Sequence, residues 1–345
     1  MDGGDITSTL IPAPFGIPLV GGGVMVPSGF TSGDARAPLM SITVTDNEGT
    51  KSDAVTMEID NRARQRAPKK GSTVQVSLGY ANAGVKYMGQ YKVDQWTKTG
   101  APRKMSVSAK AADVTTDIKS PKSRSYHKKT VGEIVKEVAG KHKKSAQVDP
   151  EIAKIKIGHI DQSGESDLQF LSRLAKRVGA NFKPADGKLL FTKAGGGRLA
   201  DGSAAPTFVI READVTDWSA TGSERGAYES ASASWQNVET GEREWITSGG
   251  KGKPQHRDRK LYKTREEAEQ AAKVQLASLN RGKVSVSITM IGDLKFFAGC
   301  KIMFLANDPD VDGLYSCKTA AHTLDDGGLK TVLTLESGED DDTTK

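Results

Sequence analysis

Histidines are the side chains of this sequence best suited to acid–base or metal chemistry at neutral pH, and their placement argues against both. His127, His142, His159, His256 and His322 are scattered through 345 residues. No two stand four apart, the spacing that lets one helical face bind zinc. Cys300 and Cys317 fall in predicted strands with neither a CxxC spacing nor a nearby histidine cluster, so they read as buried thiols rather than as zinc ligands or a redox pair. Glu165 and Asp167 form a close carboxylate pair of the kind a glycosidase uses. Both stand at the start of a predicted helix, where the dipole favours negative charge and is sufficient to account for them. Gly249-Gly250-Lys251-Gly252-Lys253 has the composition of a phosphate cradle without P-loop spacing, and it runs into Pro254. No G-x-S-x-G elbow presents a serine nucleophile. Phe296 and Phe297 beside Lys295 could stack on bases, but an edge or interface position is the simpler reading. The sequence therefore assigns no catalytic residue, no cofactor-binding residue and no metal ligand, and the chain reads as a non-enzyme.

Composition narrows the class further. Hydrophobic residues make up 36% and charged residues 27% of the chain, a balance that fits a folded protein with polar loops. No apolar run approaches the about 20 residues of a spanning helix. Ile11 to Val26 is mildly apolar, but prolines and glycines interrupt it and no basic stretch precedes it, so neither a signal peptide nor a membrane anchor is expected and synthesis should be cytoplasmic. The net charge of +6 permits a nucleic-acid reading, since Lys and Arg clusters bind phosphates. The basic residues gather in 62–70, 119–129 and 141–144 against an acidic end at Glu339 to Asp342, and for this length the excess is small. They read as solvated faces, so stable nucleic-acid binding is not expected.

The elements that would carry any site come next. Ile155, Ile157 and Ile160 suggest a short strand. Ser166 and Gln169 have capping-box spacing and open a helix whose buried stripe is Leu168, Leu171, Leu174, Ala175 and Val178, with Arg173, Lys176 and Arg177 on the other side. Gly179 can take the left-handed conformation that ends it, and Ala-Asp-Gly at 185–187 turns between strands at 181–183 and 189–192. Upstream, Thr130 and Glu133 cap a second helix with Ile134, Val135, Val138 and Ala139 buried. Before that, alternation from Leu39 gives five strands with long turns and no helix between them, a pattern that suggests a small antiparallel barrel or sandwich. Downstream, strands are expected at 228–235, 242–246, 284–291, 301–305, 314–322 and 329–335, with an alanine-rich helix opening at Thr264 and Glu267. Ser248 to Lys260 has nothing apolar to bury and is expected to be a mobile loop. One echo runs through the β regions. Gly89-Gln-Tyr91-Lys-Val93 leads into Met105-Ser-Val107, and Gly313-Leu-Tyr315-Ser-Cys317 leads into Val332-Leu-Thr-Leu335. On residues alone this reads equally as a duplicated unit or as the shared composition of hairpins.

Those elements also carry a resemblance. HIDQSGESDLQFLSRLAKRVGANF with GKLLFTKAG resembles the late control protein D family, the baseplate hub proteins of contractile-tailed phages, which is related to the spike hub modules of type VI secretion. LMSITVTDNEGTKSDAVTMEIDN, YKVDQWTKTGAP, SRSYHKKTVGEIVKEVAGKH and RGAYESASASW are similar to the same family. The expected fold class is α+β, mainly β, with two similar small antiparallel β-barrel, tube-like domains and an inserted α/β segment. The boundaries expected are an extended arm at 1–38, a first barrel at 39–117, the α/β segment at 118–198, a second barrel at 199–337 with one helix (264–280) and a mobile loop (247–260), and an acidic disordered tail at 338–345. The resemblance implies a structural hub in the virion tail baseplate, assembled in the host bacterial cytoplasm. It would be a homotrimer acting as symmetry adaptor between the hexameric tail tube and the central spike. Its implied partners are the spike, the tail tube or tube-initiator protein, other baseplate proteins and the tape measure protein. A bacteriocin or type VI-like apparatus is the near alternative, and a cell-wall-cleaving hub enzyme or a DNA-binding regulator the remoter ones.

Overall fold

The computed structural model describes residues 39–337 apart from 50–51, 81–83, 112–116, 186, 196–198, 200–202, 223–227, 238–239, 251–254 and 282–283. The expected arm at 1–38 and acidic tail at 338–345 lie outside the described residues.

The first β region follows from period-two patterning. In β1 (Leu39–Asn47), β2 (Ala54–Asp60), β3 (Thr73–Tyr80), β4 (Gly84–Thr99) and β5 (Lys104–Ala111), alternate residues such as Ile42, Val44, Val55, Met57, Val74, Val76, Met105 and Val107 are buried in one core. These strands are all antiparallel and lie in the order β1-β2-β5-β4-β3.

A segment with a separate core follows. It contains β6 (Pro121–Thr130), α1 (Val131–Lys141), β7 (Ser145–Val148), α2 (Pro150–Ala153), β8 (Lys156–Ser166), α3 (Asp167–Val178), β9 (Ala180–Ala185) and β10 (Lys188–Lys193). Of the three expected capping boxes two form in full: the Thr130 and Ser166 hydroxyls accept from the amides of Glu133 and Gln169, whose side chains accept from the cap amides in return, whereas at α4 (Arg265–Asn280) the Thr264 hydroxyl accepts from the Glu267 amide without the reciprocal bond. Gly179 ends α3 at φ 71°, in the left-handed conformation. The α3 stripe is shifted slightly from its expected phase. Phe170 is fully buried and stacks on Tyr126 with ring centroids 5.2 Å apart, while Leu168 is only half-buried.

The remaining elements are β11 (Thr207–Arg211), β12 (Asp217–Gly222), β13 (Ser230–Gln236), β14 (Arg243–Gly249), β15 (Gln255–Tyr262), α4 (Arg265–Asn280), β16 (Val284–Ile291), β17 (Lys301–Leu305), β18 (Gly313–Asp325) and β19 (Gly328–Ser337). Within 199–337 the strands divide between two sheets. β14-β13-β15 form a small sheet against which α4 lays Ala268 and Ala272, both buried, beside Ala233 and Tyr262. The mobile loop expected over 247–260 is instead strand at both of its ends: β14 extends through Gly249, and Gln255–Tyr262 is a strand parallel to β13, while 251–254 lie outside the described residues. β15 presents mostly charged side chains to solvent and buries only Tyr262, so it carries no apolar alternation for the sequence to reveal.

The other strands complete the main sheet. Its eleven strands run β12-β16-β19-β18-β1-β2-β5-β4-β3, with β17 also paired to β18 and β11 paired parallel to β17. Thus β12-β16-β19-β18-β17 repeats, strand for strand, the order β1-β2-β5-β4-β3, with β13–β15 and α4 inserted between its first and second strands. The repeat extends to single residues. Tyr91 stands opposite Val74 and Tyr315 opposite Ile302, and two residues later each strand has a one-residue bulge, between Val93 and Gln95 and between Cys317 and Thr319. Both tyrosine hydroxyls donate to a carbonyl just upstream, Tyr91 to Met88 at 3.0 Å and Tyr315 to Val311 at 2.5 Å. The two halves join where β1 pairs with β18, giving one continuous sheet with no closure among the described pairings.

Candidate functional site: a charged junction under a duplicated sheet

The residues singled out for chemistry are mostly engaged in holding the fold. Asp167 is buried at the start of α3, where it accepts from His142 at 2.7 Å, Gln162 at 2.8 Å and Lys122 at 3.1 Å, with Arg124 at 3.5 Å. Burial pushes this carboxyl up, but hydrogen bonds from His142, Gln162 and Lys122 together with the Arg124 charge outweigh it and hold it below the usual carboxylate range. Its neighbour Glu165 is taken by Arg173. The pair is therefore an ion-paired helix start rather than an acid and a base left free for substrate.

Phe296 is 2% exposed and meets Phe208 edge-on, so it is a core residue and not a stacking platform; Lys295 lies over both rings. His322 is buried between Thr331 (2.9 Å) and the Phe296 carbonyl (3.2 Å), and burial pushes its pKa down. Cys300 and Cys317 are free, buried thiols. Much of the basic excess is spent within the chain: Arg62 pairs with Asp60, Lys122 and Arg124 with Asp167, and Lys129 and Lys141 with Glu137. His256 meets Tyr228 edge-on. The fold brings His127 and His159 together, opposite each other on β6 and β8, with their Nδ1 atoms 3.0 Å apart and Asp161 on the far side of His159 at 2.8 Å. Residue spacing could not show this pair, because it depends on strand register. Among the described residues no group of three or more His, Cys, Asp or Glu side chains could hold a metal ion.

A cleft of about 540 Å³ lies between β8, the end of α3 and the start of α4. The Arg177–Glu267 ion pair at 3.1 Å stands in its wall, and Tyr262 in the same wall donates to Asp258 at 2.8 Å. Burial and that hydrogen bond push the Tyr262 phenol up, so it remains protonated.

Sequence reasoning missed the junction that fixes the three regions to one another. Lys183 on β9 reaches Asp46 of β1 at 2.6 Å, Asp53 at 2.8 Å and the Asn47 carbonyl at 3.1 Å. Asp46 accepts in addition from the Ala298 amide at 2.9 Å, in the second half of the sheet. Asn181 donates to Glu48 at 2.7 Å, and Glu48 pairs with Lys318, the bulge residue of β18. Burial and the Asp46 charge push Asp53 up to about 6 against the pull of Lys183. Lys183 itself is driven down by burial but more strongly up by the two carboxylates, and so stays charged. Chemically this constellation is a clamp. It fixes the α/β segment where the two halves of the sheet meet.

This fold, a repeated five-strand unit joined into one sheet with an α/β segment clamped to it, is shared with solved tail proteins. The structure matches a tail protein from Neisseria meningitidis MC58 with a TM-score of 0.68 at 14% identity, over 92% of this chain and 97% of that one. It matches the 43 kDa tail protein of prophage MuSo2 from Shewanella oneidensis at 0.65 and 15%, over 90% and 96%. A type VI secretion system component of E. coli shares the fold at 0.55 and 11%, over 90% and 76%. In sequence, the family model described as phage tail baseplate hub (GPD) matches residues 54–328, and the chain belongs to that family. The probable baseplate hub proteins of Escherichia phages P2 and 186 are 37% and 35% identical over 213 and 198 residues. Those alignments cover 61% and 57% of this chain and 55% and 51% of the relatives, so the match spans about half the length of those curated relatives.

Proposed function

We infer that this chain is a structural baseplate hub of a contractile phage tail, a homotrimeric adaptor that joins the hexameric tail tube to the central spike and is needed for tail assembly. The observation that carries the reading is the repeated strand order of the main sheet, together with membership of the hub family. A chain with two copies of one unit offers a symmetry match that a single-unit chain does not: three subunits present six nearly equivalent positions to a sixfold tube while keeping threefold symmetry for the spike. In this reading each five-strand unit curls into a tube-like barrel within the ring, and the α/β segment, clamped through Lys183, faces outward. Partners follow from the two ends of such a ring: the tube or its initiator above, the spike below, and other baseplate proteins and the tape measure protein at its margins. The working location is the virion tail, after assembly in the host bacterial cytoplasm. The non-enzymatic part of the reading is supported by the ion-paired state of Glu165 and Asp167.

Disruption of the gene in the producing cell, followed by electron microscopy of the lysate, tests this directly. Assembled tails should be missing and should return when the wild-type chain is supplied. Normal tails without the chain would contradict the hub reading. The same likeness in fold admits the hub of a contractile bacteriocin or a type VI-like apparatus, and in those particles the experiment has the same expected result.

A further inference from the structure

The two copies of the five-strand unit have unequal surroundings. In the second copy, the C-terminal half of β18 is covered along one edge by β1, with Thr43 opposite Thr323, Val44 opposite His322, Thr45 opposite Ala321 and Asp46 opposite Ala320. In the first copy, the matching half of β4, Gln95–Thr99, pairs with β5 alone and carries no strand on its other edge among the described residues. Burial records the difference. Ala320 and His322 are 0% and 1% exposed, whereas Trp96, which matches Ala320, is 42% exposed and Lys98, which matches His322, is exposed as well. Yet Trp96 and Lys98 stand opposite Val107 and Met105, on the core-facing side of the sheet.

The missing cover has a counterpart at the far end of the molecule. β12 occupies in the second unit the place of β1 in the first: Trp218, Ala220 and Gly222 stand opposite Ile288, Val286 and Val284, as Ile42 and Val44 stand opposite Met57 and Val55. Among the described residues β12 pairs with β16 alone. Ile42 and Val44 are 0% and 1% exposed, while Ala220 and Gly222 are exposed. An unpaired strand edge is a template for another chain, and proteins usually blunt such edges with charge or proline. β12, reading DWSATG, carries one charge, Asp217 at its first residue, and no lysine or proline along the rest of the edge.

We propose that β12 of one copy of this chain adds antiparallel to the free edge of β4 in the next copy, as β1 adds to β18 within the chain. The internal pairing fixes the register. Ser219 falls opposite Thr99, Ala220 opposite Lys98, Thr221 opposite Thr97 and Gly222 opposite Trp96, where a residue without a side chain leaves room for the indole. Because the two edges differ, the contact is head to tail. This rests on the ring reading above, which supplies closure after three copies; the edge itself identifies the neighbour. Lys98 holds its ammonium on the Gln65 carbonyl at 2.5 Å, a charge that protects the edge before assembly.

The test uses the full chain in assembled particles from the producing cell. Thr97→Cys with Thr221→Cys places two thiols at a directly opposed pair, where Cβ atoms are about 5 Å apart, within reach of a disulfide after small adjustment. Thr99→Cys with Thr221→Cys is the control, a diagonal pair about 7–8 Å apart. Both native cysteines are buried and do not compete. After oxidation, a covalent trimer is expected on a non-reducing gel from the first pair and none from the second. Particles with three copies and no link, or a link from the control pair alone, overturn the edge pairing while the ring reading stands. Particles with another number of copies overturn the ring reading itself. A density map of wild-type particles asks the same without substitutions: any strand other than β12 beside Gln95–Thr99, or none, overturns the proposal.

Discussion

Asp53 and Asp46 share one ammonium, that of Lys183, and the arrangement makes the stability of the junction depend on pH in the mildly acid range. Asp53 has a folded pKa of about 6 against an ordinary value of 3.8. A raised carboxylate pKa means that the folded state binds more protons than the unfolded state between those values, so this group's contribution to stability falls as pH rises from about 4 to 6. In Asp53→Asn the side chain is neutral throughout. The stability difference between variant and wild type should therefore shift in favour of the variant across that window, by up to about 3 kcal/mol. Denaturant titrations at pH 4, 5 and 6 measure it, and a pH-independent difference would contradict the assignment. No sequence pattern announces this clamp, because Asp46 and Asp53 stand on either side of the β1–β2 turn while Lys183 comes from β9 in another sheet, far along the chain. His127 and His159 were equally hidden, since only the β6–β8 register sets them face to face.

At the scale of elements, α3 and the segment around it have a core of their own, so damage there should stay local. Leu171 is 0% exposed on the buried stripe of α3. Leu171→Asp sets an unpaired charge in that core at a cost of more than about 4 kcal/mol. Hydrogen exchange should lose protection in α1, α3 and β6–β10 while β16, β18 and β19 keep theirs; unchanged protection in α3 would contradict this. Gly249 tests the corrected region. It sits at φ 94°, and a Cβ there would lie 2.3 Å from the Glu229 carbonyl oxygen and 2.7 Å from Leu276 of α4. Gly249→Ala should cost about 2–4 kcal/mol and loosen the β13–β15 sheet against α4, seen as faster proteolysis there than in the wild type. Equal proteolysis rates would count against a packed β14–α4 contact.

Elements with a strong period and a cap were legible in the sequence. The capping boxes at Thr130 and Ser166 form in full and the one at Thr264 only by half, α1 buries Ile134, Val135, Val138 and Ala139, and the strands 284–291 and 301–305 have the expected bounds. β6 and β15 were not legible, because each buries a single side chain, Tyr126 or Tyr262, and is otherwise made mostly of polar and charged residues. A strand of that kind is held by its ladder and leaves no hydrophobic trace.

At the scale of the whole molecule, the repeat was half visible. Gly89-Gln-Tyr91 and Gly313-Leu-Tyr315 hinted at it, and the shared strand order and shared bulge supply what hairpin composition alone could not. The joining of the two units through β1 and β18 was beyond reach, since it pairs residues at opposite ends of the chain. That junction also gives the adaptor reading its geometry, for it places two like units side by side in one chain. The most direct measurement is a cryo-EM map of the tail end of intact particles. Three copies of this chain around the axis, each presenting two similar units to a sixfold tube, is the predicted result. Six copies, two copies or none would contradict the adaptor account.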